Sequence, residues 1–330
     1  MLRIFFISVF ALCPMLVSAQ ASQYFRTGNA SDATAYARFG IALMGGGEDL
    51  DAAFRWLCER GKGGDFLILR ASGDDDYNPY VQGLCQANSV ATLIIASREA
   101  AGESKVAEAI RDAESIFIAG GDQARYINFW MGTPVQKALK EHIRAGKPIG
   151  GTSAGLAVLA EFIYSAQGDK PDDEDLTSQQ TLIDPYFARV TLQKDFLHIA
   201  LLRDTLTDTH FATRDRLGRS LVFLARIMHD GWSRHPREIA VDERSAVLVS
   251  PNGSAEVVGT GKGAYFIRPT MAPKVCSPGQ PLTFGGIKVY NAPTGSHFDL
   301  RYWKGSGGNE YQLSIVGGKI ESTQSNGSVY

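Results

Sequence analysis

Short apolar runs that alternate with helical segments constrain this chain more than any other feature. Residues 39–44 form a continuous apolar run ending in Gly45-Gly46-Gly47, after which Leu50, Ala53, Phe54 and Leu57 recur at helical spacing. The alternation returns at 66–69, 91–95, 116–119 and 148–149, with helical periodicity at 104–113 and 134–145 between these runs. The second of these helices has Thr133 as N-cap, Pro134 at its first position and Gly146 at its end. Strands that are apolar on both faces and separated by helices imply a parallel sheet covered on both sides. Sites in such sheets gather at the carboxyl ends of strands, where the glycines at 45–47, 120–121 and around Ser153 fall.

The run at 148–149 leads into Gly150-Gly151-Thr152-Ser153-Ala154-Gly155 and then the helix-forming residues 156–161. This reads as a nucleophile elbow. Ser153 would sit at a strained strand-to-helix corner, with flanking glycines clearing the approach to its Oγ. A serine hydroxyl needs a base, and a base of suitable pKa is a histidine oriented by a carboxylate. Of the six histidines, His210 stands out, because Asp208-Thr209-His210-Phe211 is followed by Arg214, Arg216 and Arg219. Arg216 and Arg219 share a face of the helix implied by Leu217, Val222, Phe223, Ala225 and Arg226, with Arg214 near its start. Such a trio suits bidentate recognition of carboxylates. Glu243, at the end of the run 239–241, is the chosen third member, with Asp242 and Asp169 as competitors. In Gly120-Gly121-Asp122-Gln123 a strand again ends in glycines. The N–H groups of Gly121 and Ala154 are the expected oxyanion donors, and Gln123 a contact for a substrate amide.

The acidic stretch 167–185 is expected as a loop over the site face, and 251–330 as a β-rich extension on the same domain as 20–250. The polar end, 322–330, is expected to fray. Arg3 followed by the apolar run 4–17 and Val17-Ser18-Ala19 reads as a secretory signal over 1–19, hence a secreted or periplasmic protein. Pro14 and the short apolar length disfavour a membrane anchor. With 33 Lys+Arg against 35 Asp+Glu, no global field recruits nucleic acid or anionic membrane. Cys58, Cys85 and Cys276 do not make a disulfide framework; the expectation is buried thiols with one Cys58–Cys85 bridge. No metal-ligand spacing is present, and neither metal nor cofactor is expected.

Taken in series, Gly120-Gly121-Asp122-Gln123, Gly151-Thr152-Ser153-Ala154-Gly155, Asp208-Thr209-His210-Phe211 with Arg214, Arg216 and Arg219, and Val241-Asp242-Glu243 resemble the cyanophycinase family, relatives of the aspartyl dipeptidases called peptidase E. The resemblance implies an α/β, flavodoxin-like or class I glutamine amidotransferase-like, mostly parallel sheet with helices on both faces. It also implies a serine exopeptidase that releases β-Asp-Arg dipeptides from cyanophycin, a poly-aspartate bearing arginine on each β-carboxyl. The arginine trio suits the polymer's carboxylates, and Asp208 or the acidic loop its guanidinium groups. Thr209 departs from the family, which commonly has glutamine there. The leader and the β-rich tail are similar to extracellular members. Partners are the polymer or β-aspartyl peptides, and a homodimer stays open. Rival readings are an aspartyl or isoaspartyl dipeptidase and a non-catalytic secreted binding protein. A lipase fits less well, because its acid lies between serine and histidine in the chain.

Overall fold

The strands with the most apolar sequences are buried on both faces. Ile41–Met44, Asp65–Arg70, Ser89–Ile94, Ser115–Ile118 and Ile149–Thr152 have scarcely an accessible side chain in the computed structural model, which describes residues 21–33, 35–170 and 173–330. They pair in parallel in the order Ser89–Ile94, Asp65–Arg70, Ser115–Ile118, Ile149–Thr152, Ile41–Met44. Antiparallel strands extend both edges: Gln23–Gly28 beside Ser89–Ile94, and Ser245–Val249 beside Ile41–Met44. Beyond the latter come Ser254–Gly259, His297–Asp299 and Lys304–Ser306.

A second sheet lies against the first. Phe162–Tyr164, Thr205–Asp208 and Arg237–Val241 are its parallel part, and Leu192–Lys194 pairs antiparallel with Phe162–Tyr164. Ala264–Pro269, Phe284–Ala292, Asn309–Val316 and Lys319–Ser322 continue it as hairpins beyond Arg237–Val241. The α/β class holds, but two mixed sheets replace the expected mostly parallel one. The hairpin-spaced strands after residue 250 divide between the two sheets, and neighbours joined by short turns must run antiparallel.

Side-chain alternation makes the layers. Ile41 and Leu43 share a core with Ile239, Val241, Ala264 and Phe266 of the second sheet, while Ala42 and Met44 face Phe54 and Leu57 of helix Asp51–Gly61. Ala240, Tyr265 and Ile267 point the other way, onto helix Leu217–His229. Each fully buried Leu, Ile or Phe contributes about 1.5–3 kcal/mol, so the shared middle layer holds the sheets together.

The bridge Cys58–Cys85 is formed and Cys276 is a buried free thiol. Helix Pro134–Arg144 starts after Thr133, whose hydroxyl donates to the Trp130 carbonyl rather than capping, and Gly146 follows its end with φ 72°. The helix after Ser153 covers Ala154–Ala157 and not 156–161. Leu156, Val158, Leu159 and Ala160 are all inaccessible, so no polar face extends the helix, and the chain turns into Phe162–Tyr164. The end of the chain is also ordered by packing: the Val329 carbonyl accepts from Tyr311 Oη, and Val329 and Tyr330 rest on the second sheet's core. The leader read over 1–19 lies outside the described residues. Among the described residues no helix is long and apolar enough to cross a membrane.

Candidate active site

Ser153 follows the strand Ile149–Thr152 with φ 51° and ψ −122°, a strained left-handed conformation for a residue with a side chain. Its N–H donates to the Met44 carbonyl, which ties the corner to the neighbouring strand. Gly155 is required here: a Cβ on it would overlap the Ile118 carbonyl oxygen. Ser153 Oγ donates to His210 Nε2 at 2.7 Å, and His210 Nδ1 is 2.6 Å from Glu243 Oε1. The carboxylate fixes the proton on Nδ1 and leaves Nε2 to accept.

Three strand ends converge to make this chain of contacts. His210 follows Thr205–Asp208, also at positive φ, with its N–H donating to the Gly45 carbonyl. Glu243 follows Arg237–Val241, and the next N–H, that of Arg244, donates to the Gly46 carbonyl. The glycine-rich turn at 45–47 thus holds both partners of the serine. Asp242 and Asp169 are elsewhere. Asp242 accepts from the N–H and hydroxyl of Thr213, and Asp169 from Arg189 and Tyr164.

Burial, helped by Arg214 and Arg216, holds the His210 imidazole below its usual value against the pull of Glu243. The ring is therefore neutral at neutral pH and able to accept a proton. The hydrogen bond from His210 holds Glu243 below its ordinary value, with Arg214 adding to this from 3.4 Å.

The serine and imidazole open onto a cleft of about 560 Å³. Gly121, Gln123, Ala154, Thr209, Arg214, Arg216 and Arg219 line it. Among the described residues, neither the Gly121 nor the Ala154 N–H has an acceptor, as expected at a turn and at a helix's first residue. The acidic loop supplies Asp169, Lys170, Asp173 and Asp175.

The arginines differ from the expectation of three free forks. Arg219 is paired with Asp208 through both its Nε and Nη2, and that carboxylate also accepts from Ser220 and the Thr209 N–H. Burial alone would raise the Asp208 carboxyl, yet Arg219 and Arg216 hold it below its ordinary value. Asp208 is thus a buried counter-ion beneath the cleft, not a contact for substrate guanidinium groups. It is 4% exposed, and removing one partner of such a pair costs about 3–5 kcal/mol. Arg216 is held by Asp175 at 2.8 Å and by the carbonyl and hydroxyl of Thr209. Arg214, 43% exposed, reaches Asp175 and Glu243.

Asp175 and Tyr164 are cleft residues that sequence reasoning did not single out. Asp175 lay within the acidic loop but carried no motif. The stacking of Tyr164 on Phe223 and the cation–π approach of Arg219 at 5.1 Å leave no trace in local sequence.

Residues 66–183, which include the Gly120-Gly121 turn and Ser153, match the family described as Peptidase family S51. The chain is 26% identical over 221 residues to a cyanophycinase of Trichormus variabilis, covering 65% of this chain and 66% of that one. It is 27% identical over 235 residues to a cyanophycinase of Synechococcus elongatus, with 67% and 66% covered. A solved peptidase from an acI-B1 Actinobacterium covers 68% of this chain and 89% of its own, at 19% identity and a TM-score of 0.48. The alignments thus span just under two thirds of these two relatives' own length. The family indicated by the motifs and the family found by comparison agree: the chain is similar to the cyanophycinases and carries a segment of the Peptidase family S51 type.

Proposed function

We propose that this chain is a secreted serine exopeptidase that hydrolyses cyanophycin to β-Asp-Arg dipeptides. The observation that carries the reading is the relay Ser153–His210–Glu243, with contacts of 2.7 and 2.6 Å, opening onto a cleft of mixed charge. Ser153 Oγ bonds to the scissile carbonyl carbon as its proton passes to His210 Nε2. The carbonyl oxygen becomes an anion held by the N–H groups of Gly121 and Ala154, and each such donor is worth about 3–4 kcal/mol. The C–N bond then breaks, and His210 gives the proton to the leaving amine. Water, deprotonated by the same ring, releases the acyl group from Ser153. Glu243 keeps the imidazole in its tautomer and stabilises the imidazolium.

The cleft's charges support a zwitterionic substrate. Arg214, 43% exposed, is open to a carboxylate, Gln123 suits an amide, and the carboxylates of Asp122 and Asp173 line the same space for a guanidinium, Asp175 being taken by Arg216. Where relatives carry glutamine, the hydroxyl of Thr209 is taken by Arg216, so orientation falls to Gln123 and Arg214. That both signs of charge line the cleft favours β-Asp-Arg over a simple aspartyl dipeptide. The leader at 1–19 supports action outside the cytoplasm.

Mass analysis of a cyanophycin digest tests the reading. The wild type is expected to release β-Asp-Arg, and Ser153→Ala to lose turnover by on the order of 10⁶-fold. Dipeptide release by the alanine variant at the wild-type rate contradicts the assignment. Cleavage of aspartyl dipeptides with the polymer left intact would favour the peptidase E type of activity instead.

A further inference from the structure

The turn that joins His210 to helix Leu217–His229 carries Arg214 and Arg216 and contains two non-glycine residues at positive φ, His210 and Asp215, each at 48°. Such conformations persist only where the surroundings over-determine them. Much of that constraint comes from one distant side chain. The Tyr330 ring lies edge-on to Phe211, with centroids 5.8 Å apart, and edge-on to Tyr265 at 5.9 Å. Its hydroxyl accepts from the Leu217 N–H at 3.1 Å and donates to Asp215 Oδ1 at 2.9 Å. Phe211 begins the turn, Asp215 sits between the two arginines, and Leu217 is the first helical residue, so Tyr330 touches the turn at its start, middle and end. Tyr330 is itself held in place. Gln324 Nε2 and Ser328 Oγ donate to its carbonyl oxygen, and Tyr311 Oη to that of Val329.

We propose that Tyr330 is a positioning residue for the arginine side of the cleft, locking the 211–217 turn so that Arg214 and Arg216 stand at a fixed distance from Ser153. The relay has its own anchors: the Met44, Gly45 and Gly46 carbonyls accept from the N–H groups of Ser153, His210 and Arg244, the residue after Glu243. The inference rests on the reading that Arg214 meets a substrate carboxylate, with Arg216 behind it held by Asp175 and Thr209. It assigns to the last strands and their tail a part in substrate recognition.

The full chain and its Tyr330→Phe variant test this, since phenylalanine keeps the ring in place and removes only the two hydroxyl hydrogen bonds. The expected result is a KM for cyanophycin raised about fivefold with kcat within about twofold. Labelling of Ser153 by a neutral fluorophosphonate should run at the wild-type rate. Succinate, a dicarboxylate probe of the arginines, should protect Ser153 from that label in the wild type and require about fivefold more in the variant. An unchanged KM and unchanged protection overturn the proposal. So does a lowered unfolding temperature accompanied by equal losses in kcat and labelling, the mark of a purely structural part. If the wild type releases no dipeptide from the polymer, it is the proposed function that fails, while succinate protection still decides the role of Tyr330.

Discussion

Glu238 is fully buried on the strand Arg237–Val241, and among the described residues neither of its carboxylate oxygens has a hydrogen-bond partner. The hydroxyl of Ser220 lies close by but is given to Asp208. Burial first, and then the charge of Asp208, push the Glu238 carboxyl well above its ordinary value. A carboxyl raised on folding leaves stability intact below its unfolded pKa of about 4.3 and erodes it as pH rises from there toward the folded value. Glu238→Gln removes this erosion. Urea unfolding from pH 4 to 8 should show a variant whose stability relative to wild type grows by more than about 1 kcal/mol across that range. A constant difference between the two proteins would show that the carboxyl stays ionised in the fold.

At the scale of elements, the elbow depends on how closely the Ala154–Ala157 helix approaches the strand Ser115–Ile118. Gly155 faces the Ile118 carbonyl, and a Cβ there has no room without moving backbone. Gly155→Ala should cost about 1–3 kcal/mol in urea unfolding, since overpacking is relieved only by shifting the corner. The loss in kcat/KM should be larger than the stability loss alone explains, because the shifted corner is the one that aims Ser153 Oγ at His210. A variant of wild-type activity would mean that the corner tolerates that shift. The parallel strands, this corner and the Pro134–Arg144 helix were legible because each is written in consecutive residues: a buried apolar run, a glycine-flanked serine, a Thr-Pro start. The short helix after Ser153 was not, because residues 156–160 are apolar on all sides and periodicity cannot tell a buried helix from a buried turn.

For the whole molecule, the site lies where the two sheets meet. Ser153 comes from the first sheet and His210 from the second, while Glu243 ends a strand of the second sheet just before Ser245–Val249 of the first. Ser153, His210 and Glu243, which the structure brings into contact, were candidates from sequence because each follows a strand end, a position local patterns mark, though Asp242 and Asp169 competed with Glu243. The pairing of the arginines was hidden. Whether Arg219 meets a substrate or Asp208 depends on how helix Leu217–His229 packs against Thr205–Asp208, a contact with no local signature. The tail was hidden for a similar reason. Residues 322–330 are polar in composition, and only the aromatic neighbours Phe211 and Tyr265, far away in sequence, give Tyr330 a place to pack.

In the proposed mechanism Ser153 is a nucleophile activated by a neutral His210. Intact-protein mass after reaction with a fluorophosphonate, measured as a rate against pH, tests it most directly. A single adduct at Ser153 is expected, absent from Ser153→Ala, with a rate that climbs as pH rises through a midpoint below the ordinary histidine value of about 6.5. An adduct elsewhere, or a Ser153 labelling rate indifferent to pH across that range and unchanged in His210→Ala, would contradict the account.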